Sequence, residues 1–160
     1  MSDTIKSLGL LSRGEDPALD AIVRLAGVIS GGNASGIHIL DEQTQHRIAG
    51  HNAPVAPHPR EDSMCRLVVE SGERIATADA SEEERFSYTS FTQGDEPGVR
   101  MYVSTPLPLG GDVVGTLCAW DSGAATLSDE QLAAFDDLAL VAARVLTATS
   151  ESEASRTSVS

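Results

Sequence analysis

The feature that most constrains the fold is a pair of apolar segments near the C-terminal end of the chain. They read VRMYVSTPLPL (residues 99–109) and VVGTLCAWD (residues 113–121), and only Gly-Gly-Asp separates them. Two such runs around a short glycine turn predict an antiparallel hairpin. Alternation along the second strand predicts one face that packs helices and an opposite face carrying Thr116, Cys118 and Trp120. That second face is either the floor of a pocket or a plug that fills it.

The N-terminal half predicts a helix followed by a second hairpin. Asp16 precedes Pro17, a pattern typical of a helix start, and Gly31-Gly32 ends the apolar periodicity that follows. The segment ASGIHILDEQTQHRIAGH (residues 34–51) has two apolar runs around a polar turn. We therefore expect a first helix that leads into two antiparallel strands, with Ile37 and Ile39 facing the core.

Short elements and one long helix complete the prediction. We expect a short helix near residues 62–71, capped by Asp62 or Ser63, a strand in ERIATAD, and a short helix opened by a capping box at Ser81. Ser128 and Gln131 predict the start of the last helix by the same pattern. The order of elements predicts an α/β fold: a mainly antiparallel sheet with the first and last helices on one face and short helices on the other.

The domain organisation follows from the same elements. Residues 1–15 are expected to form a loosely ordered extension, residues 16–148 the domain, and residues 149–160 a disordered tail without large apolar residues other than valine. The apolar runs are too short to cross a bilayer, and the N-terminus does not resemble a secretion signal. We therefore expect a cytoplasmic protein.

Charge and the metal-binding residue types exclude several functions. The net charge is −13, with one lysine and ten scattered arginines, so neither nucleic acid nor an anionic membrane is an expected partner. Cys65 and Cys118 lie 53 residues apart, which fits no zinc motif. The four histidines have no helical pairing, and none lies near a cysteine in sequence. No metal site and no definite cofactor are predicted.

Several motifs, in order, resemble the GAF domain family. They are LDAIVRLAGVI followed by ASGIHILDE, then SMC with ERIATADASEEERF, then PGVRMY, a PL pair, GTLC with a following Asp, and LSDEQ. The resemblance covers residues 16–148. It implies a sandwich in which the short helices enclose a small-molecule pocket, the first and last helices often form a dimer, and an attached or separate partner is regulated. The chain shows no output domain, so the expectation is action alone, as a homodimer, or through a separate signalling protein.

The sequence departs from the ligand patterns of several branches of that family. Arg66 follows Cys65 where covalent tetrapyrrole binding commonly has a histidine, and the cyclic-nucleotide pattern is absent. Free methionine sulfoxide reductases of this fold need several cysteines in one pocket. Cys118 is predicted to be buried and inert, whereas Cys65, flanked by Arg60 and Arg66, is the more plausible reactive thiol.

Aromatic residues give the strongest indication of a binding site, because five of the six surround the predicted pocket face. They predict either a concave pocket with an unknown small-molecule ligand or a filled pocket and a pure interaction module. Arg100 is the first candidate for gripping an anion, since alternation places it on the same face as Tyr102. The candidate ligand-binding residues are Ser63, Cys65, Phe86, Tyr88, Phe91, Arg100, Tyr102, Thr116, Cys118 and Trp120. No catalytic residue is assigned, and a thiol-dependent sulfoxide reductase is the alternative to a non-catalytic sensory domain.

Overall fold

The computed structural model describes the backbone of residues 2–93 and 98–159 and the side chains of residues 2–93 and 98–148. Six strands form one sheet in the order β3-β2-β1-β6-β5-β4, and all paired neighbours are antiparallel. The strands are β1 (Ala34–Leu40), β2 (Thr44–His51), β3 (Pro57–Pro59), β4 (Ile75–Thr77), β5 (Met101–Pro106) and β6 (Gly115–Asp121). Both predicted hairpins are confirmed as β1–β2 and β5–β6.

Five α-helices flank the sheet among the described residues. They are α1 (Asp3–Ser7), α2 (Pro17–Ser30), α3 (Arg66–Ser71), α4 (Ser90–Gln93) and α5 (Asp129–Val159). Helices α2 and α5 pack against each other and against one face of the sheet. The short helices α3 and α4, with three 3₁₀ turns, cover the opposite face. The predicted α/β sandwich is confirmed.

Two separate apolar cores follow from the alternation along the strands. The larger core lies between the sheet and the long helices, and Ile37, Leu117 and Phe135 are fully buried in it. The smaller core lies under the short helices and includes Phe86 and Tyr102. Because consecutive residues of β1 and β6 point to opposite faces, each strand contributes to both cores.

Capping explains where the long helices begin. The Asp16 carboxylate accepts a hydrogen bond from the Ala18 N–H at 2.9 Å, and Gly31 ends α2 in the left-handed conformation. The Ser128 hydroxyl accepts from the Gln131 N–H at 3.1 Å, and the Gln131 side chain accepts from the Ser128 N–H at 2.8 Å. This reciprocal pair confirms the predicted capping box of the last helix.

Other local predictions differ from the structure. Helix α3 ends at Gly72 as expected, but Cys65 occupies its N-terminal cap position and its side chain does not accept a hydrogen bond from the first N–H groups of the helix. Residues 60–62 form a separate 3₁₀ turn. The capping box at Ser81 is absent, because the Asp79 carboxylate accepts the Ser81 N–H and starts the turn earlier. The Asp79 carboxylate, two residues before Ser81, thus caps the free N–H in place of the predicted Ser81 hydroxyl.

Both chain ends carry more structure than the sequence predicts. Ile5 and Leu10 are buried in the larger core, so the N-terminal segment packs against the domain and is not a loose extension. The backbone of α5 continues through Val159, where a disordered tail was expected; Ser160 lies outside the described residues. Extending an existing helix gains a hydrogen bond per residue without a new nucleation cost.

Candidate functional site

The site lies on the sheet face that is covered by the short helices. The β5–β6 register pairs Tyr102 with Trp120 and Ser104 with Cys118. The β1–β6 register places His38 opposite Thr116 on the same face. Cys65, at the start of α3, descends onto these strands, because α3 packs against β5 and β6. Strand β1, helix α3 and the β5–β6 hairpin, three separate parts of the sequence, therefore contribute side chains to one site.

A β-bulge in β2 brings an arginine into this site. Ile37 pairs with Ala49, but the next residue, His38, pairs with Arg47, so Ile48 is the extra residue of the bulge. The Arg47 guanidinium donates from Nε to His38 Nε2 at 2.9 Å and from an NH1 group to the Pro54 carbonyl at 3.1 Å. It also lies 5.1 Å from the centre of the Trp120 ring.

Close approach of the backbone makes room for the histidine. A Cβ atom on Gly36 would lie 3.2 Å from His38 Nε2 and 3.3 Å from the Ala49 carbonyl oxygen. Few Cβ atoms in proteins have contacts this short, so a residue with a side chain at position 36 would push the His38 imidazole away. Glycine at this position therefore leaves room for the imidazole beside Arg47.

Two thiols and the imidazole form a compact buried cluster, the sulfur–imidazole cluster of His38, Cys65 and Cys118. The two Sγ atoms lie 3.8 Å apart, and His38 Nδ1 lies 3.5 Å from Cys65 Sγ and 3.0 Å from Cys118 Sγ. Tyr102 Oη lies 3.2 Å from Cys65 Sγ, and the Ser104 hydroxyl lies 3.9 Å from it. Cys65 Sγ is thus the common neighbour of four polar groups.

The surroundings move the pKa values of the two thiols in opposite directions. The hydrogen bond with Cys118 holds the pKa of Cys65 well below its usual value, and His38 adds to this effect against the opposing effect of burial. Burial raises the pKa of Cys118 well above its usual value, and the neighbouring Cys65 raises it further. Burial, followed by the charge of Cys65, likewise raises the pKa of Tyr102. Cys65 is therefore the thiol that ionises first.

The same three residues are the one group of possible metal ligands found among the described residues. Two thiolates and an imidazole suit a soft or borderline ion such as Zn²⁺. The hydrogen bond from Arg47 opposes this role, because it requires His38 Nε2 to be unprotonated and so leaves the proton on Nδ1, the nitrogen that faces the sulfurs. A ligating histidine usually donates its other N–H to an acceptor, and here that position is occupied by a donor. In this arrangement the cluster fits a hydrogen-bonded thiol pair better than a metal site.

A small cavity borders the cluster and opens to solvent on one side. Its volume is about 40 Å³, which is room for about three water molecules. Its lining residues are His38, Gln45, Arg47, Met64, Cys65, Phe91, Val99, Tyr102, Cys118 and Trp120. Five of these, Cys65, Phe91, Tyr102, Cys118 and Trp120, are residues that the sequence nominated.

The other nominated residues lie around the cavity and do not line it. Phe86 is fully buried and packs edge-on against Tyr102, with ring centres 5.4 Å apart. Tyr88 donates its hydroxyl to the Ser63 carbonyl, while the Ser63 hydroxyl donates to the Gln45 side chain. The buried Thr116 hydroxyl forms no hydrogen bond of standard geometry in the described part of the chain, but it lies close enough to Cys65 to help lower the pKa of that thiol. These residues support the wall of the cavity from behind.

Arg100, the arginine that the sequence predicts for an anion site, does not line the cavity. Its side chain is 55% exposed and lies 3.8 Å from the Asp79 carboxylate. It precedes the first residue of β5, so the strand alternation used to place it beside Tyr102 does not extend to it. Arg60 and Arg66 also lie away from the thiols: Arg60 bonds the Asp41 carbonyl, and Arg66 lies over the Tyr88 ring.

Sequence reasoning missed His38, Gln45, Arg47, Met64 and Val99. His38 could have been found, because it alternates with Ile37 and Ile39, which face the helices. Arg47 could not, because the bulge at Ile48 changes the face of every preceding residue in β2.

Comparison with known proteins defines the class. A sequence model of the GAF domain family matches residues 15–146, and the chain belongs to this family. A curated relative, the cyclic di-GMP phosphodiesterase PA2567 of Pseudomonas aeruginosa, is 32% identical over 146 residues. That match covers 89% of this chain but only 25% of the relative, so the chain spans about a quarter of that protein.

Solved structures share the fold at low identity. The GAF domain of PixJ from Thermosynechococcus elongatus has a TM-score of 0.70 at 15% identity, covering 99% of this chain and 95% of the other. The free methionine-R-sulfoxide reductase of Neisseria meningitidis has a TM-score of 0.64 at 15% identity, covering 94% and 89%. No helix in the described part of this chain has the length and hydropathy needed to cross a membrane.

Proposed function

We propose that this GAF domain is a regulatory, non-catalytic domain that binds a small anion beside Arg47. The observation that carries the proposal is a guanidinium that lines a cavity and lies over Trp120 in a chain with a net charge of −13. In a chain this acidic, a positively charged guanidinium at the wall of a cavity is a site that attracts an anion. A guanidinium grips carboxylate or nitrate-like oxygens in a fork, which a single ammonium does not.

The size of the cavity supports a ligand of three or four heavy atoms. About three water molecules fill the space, so formate or nitrate matches it, while a cyclic nucleotide or a tetrapyrrole is far too large. The amide of Gln45 and the guanidinium of Arg47 supply donors at the cavity wall. Binding would release waters and order the two side chains around the anion.

The signal would reach the long helices through hydrogen bonds between elements. Trp120 belongs to β6, and the next residue, Asp121, accepts the Asn33 N–H at 2.9 Å beyond the end of α2. The Gln131 side chain of α5 donates to the Ile29 carbonyl of α2 at 2.9 Å. A ligand that shifts β6 therefore acts on both helices that frame the opposite face, which is a population shift between packings.

The single tryptophan provides a direct assay. Sodium nitrate and sodium formate are titrated against the protein while Trp120 fluorescence is recorded, with sodium chloride at equal ionic strength as the salt control. We expect a saturable change that Arg47→Gln abolishes. The matched control is Arg100→Gln, which removes an exposed arginine outside the cavity and should leave the titration unchanged. Equal loss in both variants, or no saturation with either anion, would contradict anion binding at Arg47.

Exposed apolar side chains on the long helices favour a second role, homodimerisation through α2 and α5. Val28 is 75% exposed, Leu140 55% and Val141 50%, although all three are large apolar residues. Burying such side chains against a second copy would gain about 25 cal/mol per Å². If the cavity binds no ligand, this face of the two helices would be the surface through which the domain acts as an interaction module.

Light scattering after size exclusion tests the dimer. We expect the wild-type chain to have the mass of two copies and Leu140→Lys to have the mass of one. The control Val55→Lys changes an equally apolar residue, 68% exposed, in the loop between β2 and β3, and should remain dimeric. A monomeric wild-type protein would refute this role and leave anion binding untouched.

The enzymatic alternatives receive less support from the site. Free methionine sulfoxide is larger than the cavity, so turnover of this substrate with a dithiol reductant is expected to be absent. The activity in the relative's name belongs to a protein of which this chain matches a quarter, and we propose regulation of such an output as the role of this domain. We also propose a cytoplasmic location, where two free thiols persist in reduced form.

A further inference from the structure

We propose that Cys65 is a peroxide-reactive thiolate and that Cys118 is its resolving thiol, so that a small hydroperoxide converts the pair into a disulfide. This oxidation does not require a bound anion, although it takes place in the cavity that Arg47 lines. It is assigned from the positions of the two sulfurs, the imidazole between them and the cavity that borders all three.

The surroundings of Cys65 Sγ are suited to a negative charge. The Tyr102 hydroxyl lies 3.2 Å from this sulfur and the Ser104 hydroxyl lies 3.9 Å from it. The ring nitrogen Nδ1 of His38 lies 3.5 Å from the same sulfur. Hydrogen bonds to the charged form stabilise a thiolate even where it is buried. The depressed pKa of Cys65 agrees with this geometry.

The orientation of the histidine proton follows from Arg47. Because Arg47 Nε donates to His38 Nε2 at 2.9 Å, the proton of the neutral ring is on Nδ1, where it points at the sulfurs. The arginine thus acts on the thiolate through the imidazole, as a positioning residue, and adds a positive charge behind it. A metal ion at Nδ1 would need the opposite tautomer.

The reaction balances with hydrogen peroxide as the only added reagent. The Cys65 thiolate attacks one peroxide oxygen, an S–O bond forms as the O–O bond breaks, and the second oxygen leaves as hydroxide and takes a proton to become water. The Cys118 sulfur then attacks the sulfenic sulfur of Cys65, the S–S bond forms, and the S–O bond breaks. The hydroxide leaves with the Cys118 proton as a second water. Two thiols are oxidised by two electrons, and one peroxide is reduced to two waters.

Distance and space permit both steps. The sulfurs lie 3.8 Å apart and must close by about 1.7 Å to reach the length of a disulfide bond. The cavity that Cys65 and Cys118 line holds about three waters, so a molecule of two heavy atoms reaches the thiolate without displacing a side chain. Larger alkyl hydroperoxides do not fit, which predicts selectivity for the smallest peroxide.

The test follows thiol loss and mass in the chain of 160 residues. After stoichiometric hydrogen peroxide, quenching and denaturation under acid, we expect both free thiols to be lost together and the intact mass to fall by two hydrogens. A thiol reductant such as dithiothreitol should restore both. Cys118→Ser should stop at the sulfenic acid of Cys65, which dimedone traps as one adduct, whereas Cys65→Ser should leave Cys118 unreacted on the same timescale.

His38→Leu tests the positioning role. It removes the Nδ1 proton donor and puts an apolar side chain without any donor in its place, so the pKa of Cys65 should rise. Wherever that pKa lies above the pH, the rate of oxidation should fall by about tenfold for each further unit of the rise. The pH profile of the rate should move upward in this variant, which a merely structural defect would not produce. His51→Leu, outside the cavity lining, is the control and should leave the profile in place.

Three results would overturn the proposal. The first is equal oxidation of the wild-type and Cys65→Ser proteins. The second is retention of two titratable thiols after excess peroxide while the protein remains folded by circular dichroism. The third is stoichiometric zinc in the protein as purified, released by a thiol-modifying reagent, because it would assign the sulfur–imidazole cluster to a metal.

Discussion

The N-terminal segment offers the sharpest test of the fold, because the family match begins at residue 15 while the structure places earlier residues in the core. Leu10 has no exposed surface, and its N–H donates to the Ile5 carbonyl at 3.1 Å. Leu10→Ala therefore leaves a cavity in the layer between the sheet and the long helices. In packed cores this substitution costs about 2.7–5 kcal/mol, and we expect about 3 kcal/mol because a segment close to the chain end can partly collapse into the space.

Urea unfolding followed by Trp120 fluorescence measures this loss directly. A loss of about 3 kcal/mol in a domain of this size corresponds to a fall in Tm of about 6–12 °C. The slope of the transition should be unchanged, because the variant exposes the same surface on unfolding. Val55→Ala, at a position 68% exposed, is the control and should change stability by less than about 0.5 kcal/mol. A loss below about 1 kcal/mol for Leu10→Ala would refute the packing of the N-terminal segment.

Three further predictions concern local contacts. Burial raises the pKa of Asp62, but hydrogen bonds, those from Ser90 first, outweigh burial and hold it below its usual value. Asp62→Asn weakens the hydrogen bond from the Ser90 N–H and should lose about 1 kcal/mol at neutral pH. Gly36→Ala should crowd the imidazole of His38, displace its Nδ1 proton from the sulfurs and slow the oxidation of Cys65 by hydrogen peroxide. Ser128→Ala should cost about 1 kcal/mol in urea unfolding through loss of the helix cap.

Each of these has a result that would contradict it. The difference between Asp62→Asn and the wild type should shrink as the pH falls through the lowered pKa, since the wild type then loses its charge, so a constant difference from pH 7 to about pH 3 would be inconsistent. An unchanged oxidation rate for Gly36→Ala would show that the His38 imidazole keeps its position when residue 36 has a Cβ atom. An unchanged midpoint for Ser128→Ala would show that Gln131 alone is sufficient.

The long elements and their faces were predictable from sequence because each rests on a local signal. The cap at Asp16 and the capping box at Ser128 fix two helices within a few residues, and the Gly-Gly-Asp turn fixes the β5–β6 hairpin. Alternation then placed Thr116, Cys118 and Trp120 on the cavity face, where they lie. Short-range hydrogen bonding and strand periodicity act within a few residues, so a single sequence records them.

The composition of the site was not predictable in the same way, because it depends on contacts between distant elements. Cys65 and Cys118 lie 53 residues apart, and His38 comes from a third strand, so no sequence spacing reports that the three meet. The expectation of an inert Cys118 considered its strand alone. The packing of α3 against β6, which sequence spacing does not reveal, brings Cys65 next to Cys118 and His38.

The bulge in β2 links these observations to function. In a regular ladder Ile48 would pair with His38, and Arg47 would point towards the large core, where an unpaired guanidinium is costly. The extra residue of the bulge turns Arg47 to the cavity face of the sheet. Arg47, the single cation lining the cavity, is therefore also the group that keeps the His38 proton on the nitrogen facing the sulfurs. An anion that draws Arg47 away from His38 would remove the donor that keeps Nε2 unprotonated. The proton of the neutral ring could then lie on either nitrogen, and no longer only on Nδ1, which faces the sulfurs. Bound nitrate should therefore slow peroxide oxidation of Cys65, and an oxidation rate unaffected by saturating nitrate would show that the two activities of the cavity are independent.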